Sequence, residues 1–204
     1  MPTTTLKEPA LKAGGRKSDI LRKAAQVFLE LGYDATSMNV VAERADVTKM
    51  GLYYHFDSKQ ELLFSIMSYA MDVLERATQA ASEAARNSEE RLRNLIHTLA
   101  TQTTQQEDGA FVILVIDETN ALEGEDRKII TARKRAYVET IRAALEALGA
   151  EGQLRRLDTT VAAFTLVGMV LWLSKWYEKA GRVSPEDVAH QVTEMALAAV
   201  LQPA

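Results

Sequence analysis

The residues best equipped for chemistry lie in one short run: Thr48, Lys49, Tyr53, Tyr54, His55 and Lys59. Hydroxyl, ammonium, phenol and imidazole groups make it a dense set of hydrogen-bond donors. Leu52 and Phe56, four apart, can anchor a helix through the run, and Tyr53 and Tyr54 then cannot both be buried with them. An exposed tyrosine pair beside Lys49 and His55 is unusual on a plainly solvated face. Tyrosine can set its hydroxyl on a phosphate while its ring meets a thymine methyl or a sugar, so the pattern fits a nucleic-acid groove. The competing reading is that Tyr53, Tyr54 and His55 pack this part of the chain against the rest. Each residue alone allows that; the group together leaves it few grounds.

The flanking elements place the run. Ile20, Leu21, Ala24, Val27, Phe28 and Leu31 follow helical spacing, and Gly32 is positioned to stop that helix. Ser37 can cap a helix over 38–45 that buries Val40, Val41 and Ala45. After a turn at Asp46 and Val47, Thr48 can cap the helix that carries the run. Ser58 and Glu61 form a capping box for a long helix through Leu62, Leu63, Ile66, Tyr69, Ala70, Val73 and Leu74. An apolar helix followed by two short ones across a tight turn is the helix-turn-helix layout, whose second helix enters the major groove. Lys59 joins a cation to the free amide hydrogens of a helix N-terminus, and both favour a phosphate.

Composition narrows the remaining classes. The 204 residues include 10 Gly and 4 Pro, with 47% hydrophobic and 25% charged residues, which points to a mostly helical globular protein. The absence of Cys excludes a disulfide scaffold, a thiolate metal site and a cysteine nucleophile. The histidines, His55, His97 and His190, fall on different predicted helices, and no Ser/His/Asp set, metal spacing or phosphate-binding loop is recognisable. No catalysis, cofactor or metal is therefore expected. Residues 1–60 carry nine Lys and Arg against seven Asp and Glu, while 61–204 carry fifteen against twenty-one. A basic head on an acidic body suits two parts that meet different partners. The longest uncharged stretch, 159–174, is short of the roughly 20 residues a membrane span needs, so it reads as a buried helix. No secretory signal is recognisable, and a cytoplasmic location is expected.

Residues 18–64, SDILRKAAQVFLELGYDATSMNVVAERADVTKMGLYYHFDSKQELLF, resemble the DNA-binding domain of TetR-family transcriptional regulators. The string LYYHF followed by SKQELL carries most of that resemblance. It implies a homodimeric regulator, usually a repressor, whose head binds an operator and whose helical body takes a small molecule that releases the DNA. Carried onto this chain, operator contacts fall to Ser37 and Asn39, then to Thr48, Lys49, Met50, Gly51, Tyr53, Tyr54 and His55. Lys59, Arg16 and Lys17 would add phosphate contacts. Two positions depart from the pattern: Asp46 stands where Gly is frequent in the turn, and Gly51 where Thr or Ala is frequent.

The expected architecture is all-α: a flexible N-terminal arm (1–15), a three-helix helix-turn-helix DNA-binding domain (16–62), and a helical ligand-binding and dimerisation domain (63–204). Helices are predicted in the body near 89–105, 109–119, 125–148, 157–180 and 185–201, with Gly149 and Gly181 as stops. Residues 168–191, GMVLWLSKWYEKAGRVSPEDVAHQ, resemble the last two helices of a subgroup that includes fatty-acid- and acyl-CoA-responsive repressors. Phe164, Gly168, Leu171, Trp172 and Lys175 lie near one face of the first of these helices. Val188, Val192, Met195 and Ala199 make a matching stripe on the second, as a four-helix dimer interface requires. Met169, Trp172 and Trp176 are alternatively pocket lining.

On the helix 125–148, Arg133 and Lys134 fall close to the apolar stripe of Ile130, Tyr137 and Ile141, with Arg127, Lys128 and Arg135 nearby. Arg133, Lys134 and Tyr137, with Phe111 and Leu114 from the run FVILVI, would suit a phosphate-bearing headgroup with a greasy tail, such as a long-chain acyl-CoA or fatty acid. Alternatively the cations run along the helix rim and pair with Glu125, Asp126, Glu139, Asp117 or Glu118. Three rival functions stay open: an efflux or catabolic regulator answering an aromatic or drug-like ligand, an activator, and a helical ligand carrier that binds no DNA.

Overall fold

The computed structural model describes residues 15–104, 106–178 and 181–203, the side chains of 106–110 excepted. The arm expected over 1–15 lies outside the described residues apart from Gly15. The head is α1 (Arg16–Leu31), α2 (Met38–Arg44) and α3 (Lys49–His55). The body is α4 (Lys59–Glu83), α5 (Ser88–Thr104), α6 (Gln106–Asp117), α7 (Gly124–Ala150), α8 (Thr159–Leu171), α9 (Leu173–Trp176) and α10 (Pro185–Val200). No strand occurs among the described residues beyond a single antiparallel bridge between Leu154 and Leu201. FVILVI lies within α6.

Local chemistry sets the head's helix ends. Gly32 closes α1 at φ +82°, where its amide donates to the Phe28 carbonyl. The Ser37 hydroxyl accepts from the Val40 amide and the Thr48 hydroxyl from the Gly51 amide, each satisfying a donor that the first turn leaves free. Ser58 accepts from the Glu61 amide at 3.1 Å, and the Glu61 carboxylate reaches back to the Asp57 amide at 2.5 Å. Between α2 and α3, Asp46 takes φ +55°, the left-handed backbone that costs an L-residue about 1–2 kcal/mol. Asp46→Gly is therefore expected to raise stability by about 1 kcal/mol, a gain of about 2–4 °C in melting midpoint by calorimetry.

Two helix ends differ from expectation. Gly149 lies inside α7, which runs to Ala150, and Gly152 at φ +72° takes the left-handed position instead. The helix expected over 157–180 ends at Leu171, and the short α9 carries the chain only to Trp176. Asp158, capping the Thr160 and Val161 amides, sets its start.

Two cores hold the molecule together. One joins Ile20, Leu21, Phe28, Leu52 and Phe56 of the head to Leu62, Leu63 and Ile66 of α4 and to Phe111 and Leu114 of α6. The other packs α5, α7, α8 and α10 around Leu95, Ile141, Leu145, Ala163 and Ala196. The boundary expected at 62/63 falls inside α4, whose first turns belong to the head's core. Helix α6 packs along α1, so head and body share apolar contacts rather than a bare linker.

Candidate DNA-binding surface and effector cavity

Helix α3 turns Leu52 inward and sends its polar residues out. Met50 and Tyr54 are 83% and 85% exposed, far more than folding alone would leave such large apolar side chains. Thr48, Lys49 and Tyr53 are also exposed, and Gly51 and His55 are half-buried. The Lys49 ammonium lies 6.0 Å from the centre of the Tyr53 ring, and the His55 and Tyr54 rings meet edge to face at 5.2 Å. Ser37 and Asn39 are exposed at the start of α2, and Arg16 is exposed at the start of α1. Lys17 is half-buried with its ammonium 5.2 Å over the Phe56 ring. A Cβ on Gly51 would meet the capping hydroxyl of Thr48 at 3.1 Å, so a larger side chain there would press on the cap.

Lys59 departs from its expected place on phosphate. Its ammonium donates to the carbonyls of Tyr33 (2.9 Å), Asp34 (3.3 Å) and Thr36 (3.0 Å) and lies 4.2 Å over the Tyr33 ring. All three donors are thus used to fasten the α1–α2 loop to α4.

In the body, α4 to α8 surround an apolar cavity of about 360 Å³. Met71 and Leu74 come from α4, Leu99 from α5, Val112, Val115 and Ile116 from α6, Val138 from α7, and Phe164, Val167 and Leu171 from α8. Its polar atoms come from Gln102 of α5 and from Thr131, Lys134 and Arg135, which share one face of α7. Tyr137 is also in the wall, with its hydroxyl turned to the Leu95 carbonyl at 3.3 Å and its ionisation pushed up by burial. Lys134 donates to the Val115 carbonyl at 3.0 Å and the Thr119 hydroxyl at 3.3 Å. Burial pushes its ammonium below the ordinary lysine range, against an opposing pull from Asp117.

Several residues expected in the pocket lie elsewhere. Arg133 points to α4, donating to Asp72 (2.6 Å), to both oxygens of Glu75 (2.7 and 2.8 Å) and to the Ser68 carbonyl (3.2 Å). Its neighbours on α7 are one residue apart in sequence and about 100° apart on the helix, which separates Arg133 from the cavity. Phe111 and Leu114 are buried in the head-side core, where the Phe111 ring meets that of Tyr69 at 5.2 Å and a 54° tilt. Met169 packs in the other core, and Trp172 and Trp176 are 65% and 55% exposed outside the cavity. Arg133→Met would leave Asp72 and Glu75 unpaired. Since the guanidinium is 21% exposed, the expected cost is about 2 kcal/mol, or about 4–8 °C in melting midpoint.

Residues 20–66 match the family described as bacterial regulatory proteins, tetR family, and residues 85–200 match the tetracyclin repressor-like C-terminal domain. The chain belongs to the TetR family. It is a TetR-type DNA-binding transcriptional regulator, from a family of regulators rather than enzymes. Among solved structures, AibR in complex with isovaleryl coenzyme A and operator DNA is 36% identical, covering 89% of this chain and 97% of AibR at a TM-score of 0.81. The transcriptional repressor KstR2 of Rhodococcus jostii is 26% identical over 193 residues, 93% of each chain. The structure of KstR2 of Mycobacterium tuberculosis, at 23% identity and a TM-score of 0.86, has the same fold over 94% of this chain.

The TetR body also leaves an apolar face uncovered. Val161 and Phe164 on α8, Trp172 after it, and Met195 on α10 are 57–65% exposed, with Ala199 exposed beside them. Gly168 is exposed on the same helix, and a Cβ there would meet no atom within 4 Å. Val188 and Val192, expected on this face, are buried in the core, because α10 packs most heavily against α5 and turns that side inward. Lys175, also expected there, pairs with Asp117 at 2.5 Å. The cavity residues on α4 and α5 carried no sequence signal: an apolar residue beside a void has the same helical spacing as one in a filled core.

Proposed function

We propose that the chain is a cytoplasmic homodimeric repressor that two recognition helices hold on its operator and that an acyl thioester releases. The observation that carries the operator and the acyl-thioester effector is the 36% identity, over 89% of the chain, to AibR bound to isovaleryl coenzyme A and operator DNA. The apolar cavity with polar atoms along one face of α7 supports it. The cavity of about 360 Å³ has room for an acyl chain. Signal transfer follows from α6, whose Val112, Val115 and Ile116 line the cavity while Phe111 and Leu114 sit in the head's core. Filling the cavity shifts α6 against α1 and alters the spacing of recognition helices that must match grooves about 34–36 Å apart.

A second reading has the effector strengthening DNA binding, and the presence of both ligand and DNA in the one AibR complex favours it. Operator affinity by fluorescence anisotropy, with and without isovaleryl-CoA, separates the two: it falls under release and rises under co-repression. The same panel by thermal shift includes acyl-CoAs of graded length, free CoA, fatty acids and cationic aromatic drugs. Ligand a hundredfold above its Kd should add about 2.7 kcal/mol, or about 5–10 °C. A response to aromatic drugs alone would overturn the acyl-thioester reading.

A further inference from the structure

Met50 and Tyr54 are the two most exposed large apolar side chains among the described residues. They stand four apart on α3, about 40° from each other around the helix, while Met50 lies about 200° from the buried Leu52. The fold thus holds the Met50 thioether chain in water, away from the core. Its position is fixed by Thr48, whose hydroxyl accepts from the Gly51 amide at 3.0 Å and starts the helix, making Met50 its second residue. In a helix-turn-helix, the first residues of the recognition helix meet the base edges. Gly51, next in that turn, has no side chain to hold Met50 off the groove floor. Lys49 before it and Arg16 at the start of α1 are exposed cations suited to the flanking phosphates.

A methionine has no donor and only a weak sulfur acceptor, so it reads a base by apolar contact. The major-groove edges present donors and acceptors at every base pair and one apolar group, the 5-methyl of thymine. Against any other edge Met50 would displace water from polar atoms and return no hydrogen bond, which costs binding. Against the methyl, both apolar surfaces leave water together. Resting on the reading of α3 as the helix that enters the groove, we infer that Met50 is a specificity-determining residue that selects a thymine in each operator half-site through its 5-methyl group. The ring of Tyr54, one turn further along the same face, is the second apolar surface of that contact.

The test starts from an operator duplex that the full chain selects from a random pool. Each thymine is then replaced by deoxyuridine, which removes the methyl and keeps the base pair, and binding is read by fluorescence anisotropy. At one thymine of each half-site the replacement should weaken binding about fourfold, and about fifteenfold with both half-sites replaced, the worth of one buried methyl each. Met50→Ala, with an unchanged melting midpoint, should bind the thymine and deoxyuridine duplexes equally to within about twofold. Met50→Leu keeps an apolar end and should keep the discrimination. If the selected half-sites fix no thymine, or no replacement weakens binding, the role of Met50 is overturned while operator binding stands. A loss as large in Met50→Ala as in the unsubstituted chain comes from DNA shape rather than contact, and overturns it too. If no operator is selected at all, the groove-reading role of α3 falls and the inference with it.

Discussion

Tyr54→Ala should lose operator affinity by about 30-fold or more while the protein melts where it did before. A good base-edge contact carries about 1–3 kcal/mol, and a homodimer makes it twice, so about 2–6 kcal/mol is at stake. The ring is 85% exposed, and substitutions at such positions usually change stability by less than about 0.5 kcal/mol. Operator duplexes selected from a random pool and a scrambled control would be titrated by fluorescence anisotropy across a salt series. The loss should appear on the operator and be small on the control. Lys49→Ala gives the contrast: binding weakens on both duplexes, and the salt slope flattens by about 1 for each recognition helix. Unchanged affinity and discrimination in Tyr54→Ala would mean that α3 does not read the groove.

Phe164→Asp should turn a dimer into a monomer of 22.6 kDa and take operator binding with it. In the single chain Phe164 is 60% exposed, so a carboxylate there is solvated and costs the monomer little. Between two copies the same carboxylate would be buried without a partner, at several kcal/mol on each side. A monomer offers one recognition helix in place of two. Light scattering reads the mass, and anisotropy on the operator reads the loss. Because Phe164 also touches the cavity, Val161→Asp, 65% exposed and away from it, separates dimer loss from an altered effector site. A dimer that survives both changes would overturn the assignment of this face.

The head was legible because its signals are local. Ser37, Thr48 and Ser58 cap amides within three residues of themselves, and Gly32 stops α1 from within its own turn. The left-handed turn at Asp46 follows from the few residues available between two helices. The body was legible only as helices. Gly149 is the stop expected for α7, and the packing of α7 on α5 and α8 carries the helix past it.

The cations mark the division most clearly. That Arg133 and Lys134 lie close to the apolar stripe of α7, and Lys59 at a helix N-terminus, follows from helical register alone. Their partners lie far off in the chain: Lys59 on the carbonyls of the α1–α2 loop, Arg133 on Asp72 and Glu75, Lys134 on α6. A sequence determines what lies within one or two helical turns, because there the backbone fixes the distance between side chains. It therefore determined the helix-turn-helix and the exposed tyrosines. Which of two adjacent lysine and arginine side chains faces a cavity depends on how α4, α6 and α7 approach one another. That approach is set by the summed packing of the two cores, and only the tertiary structure decided it.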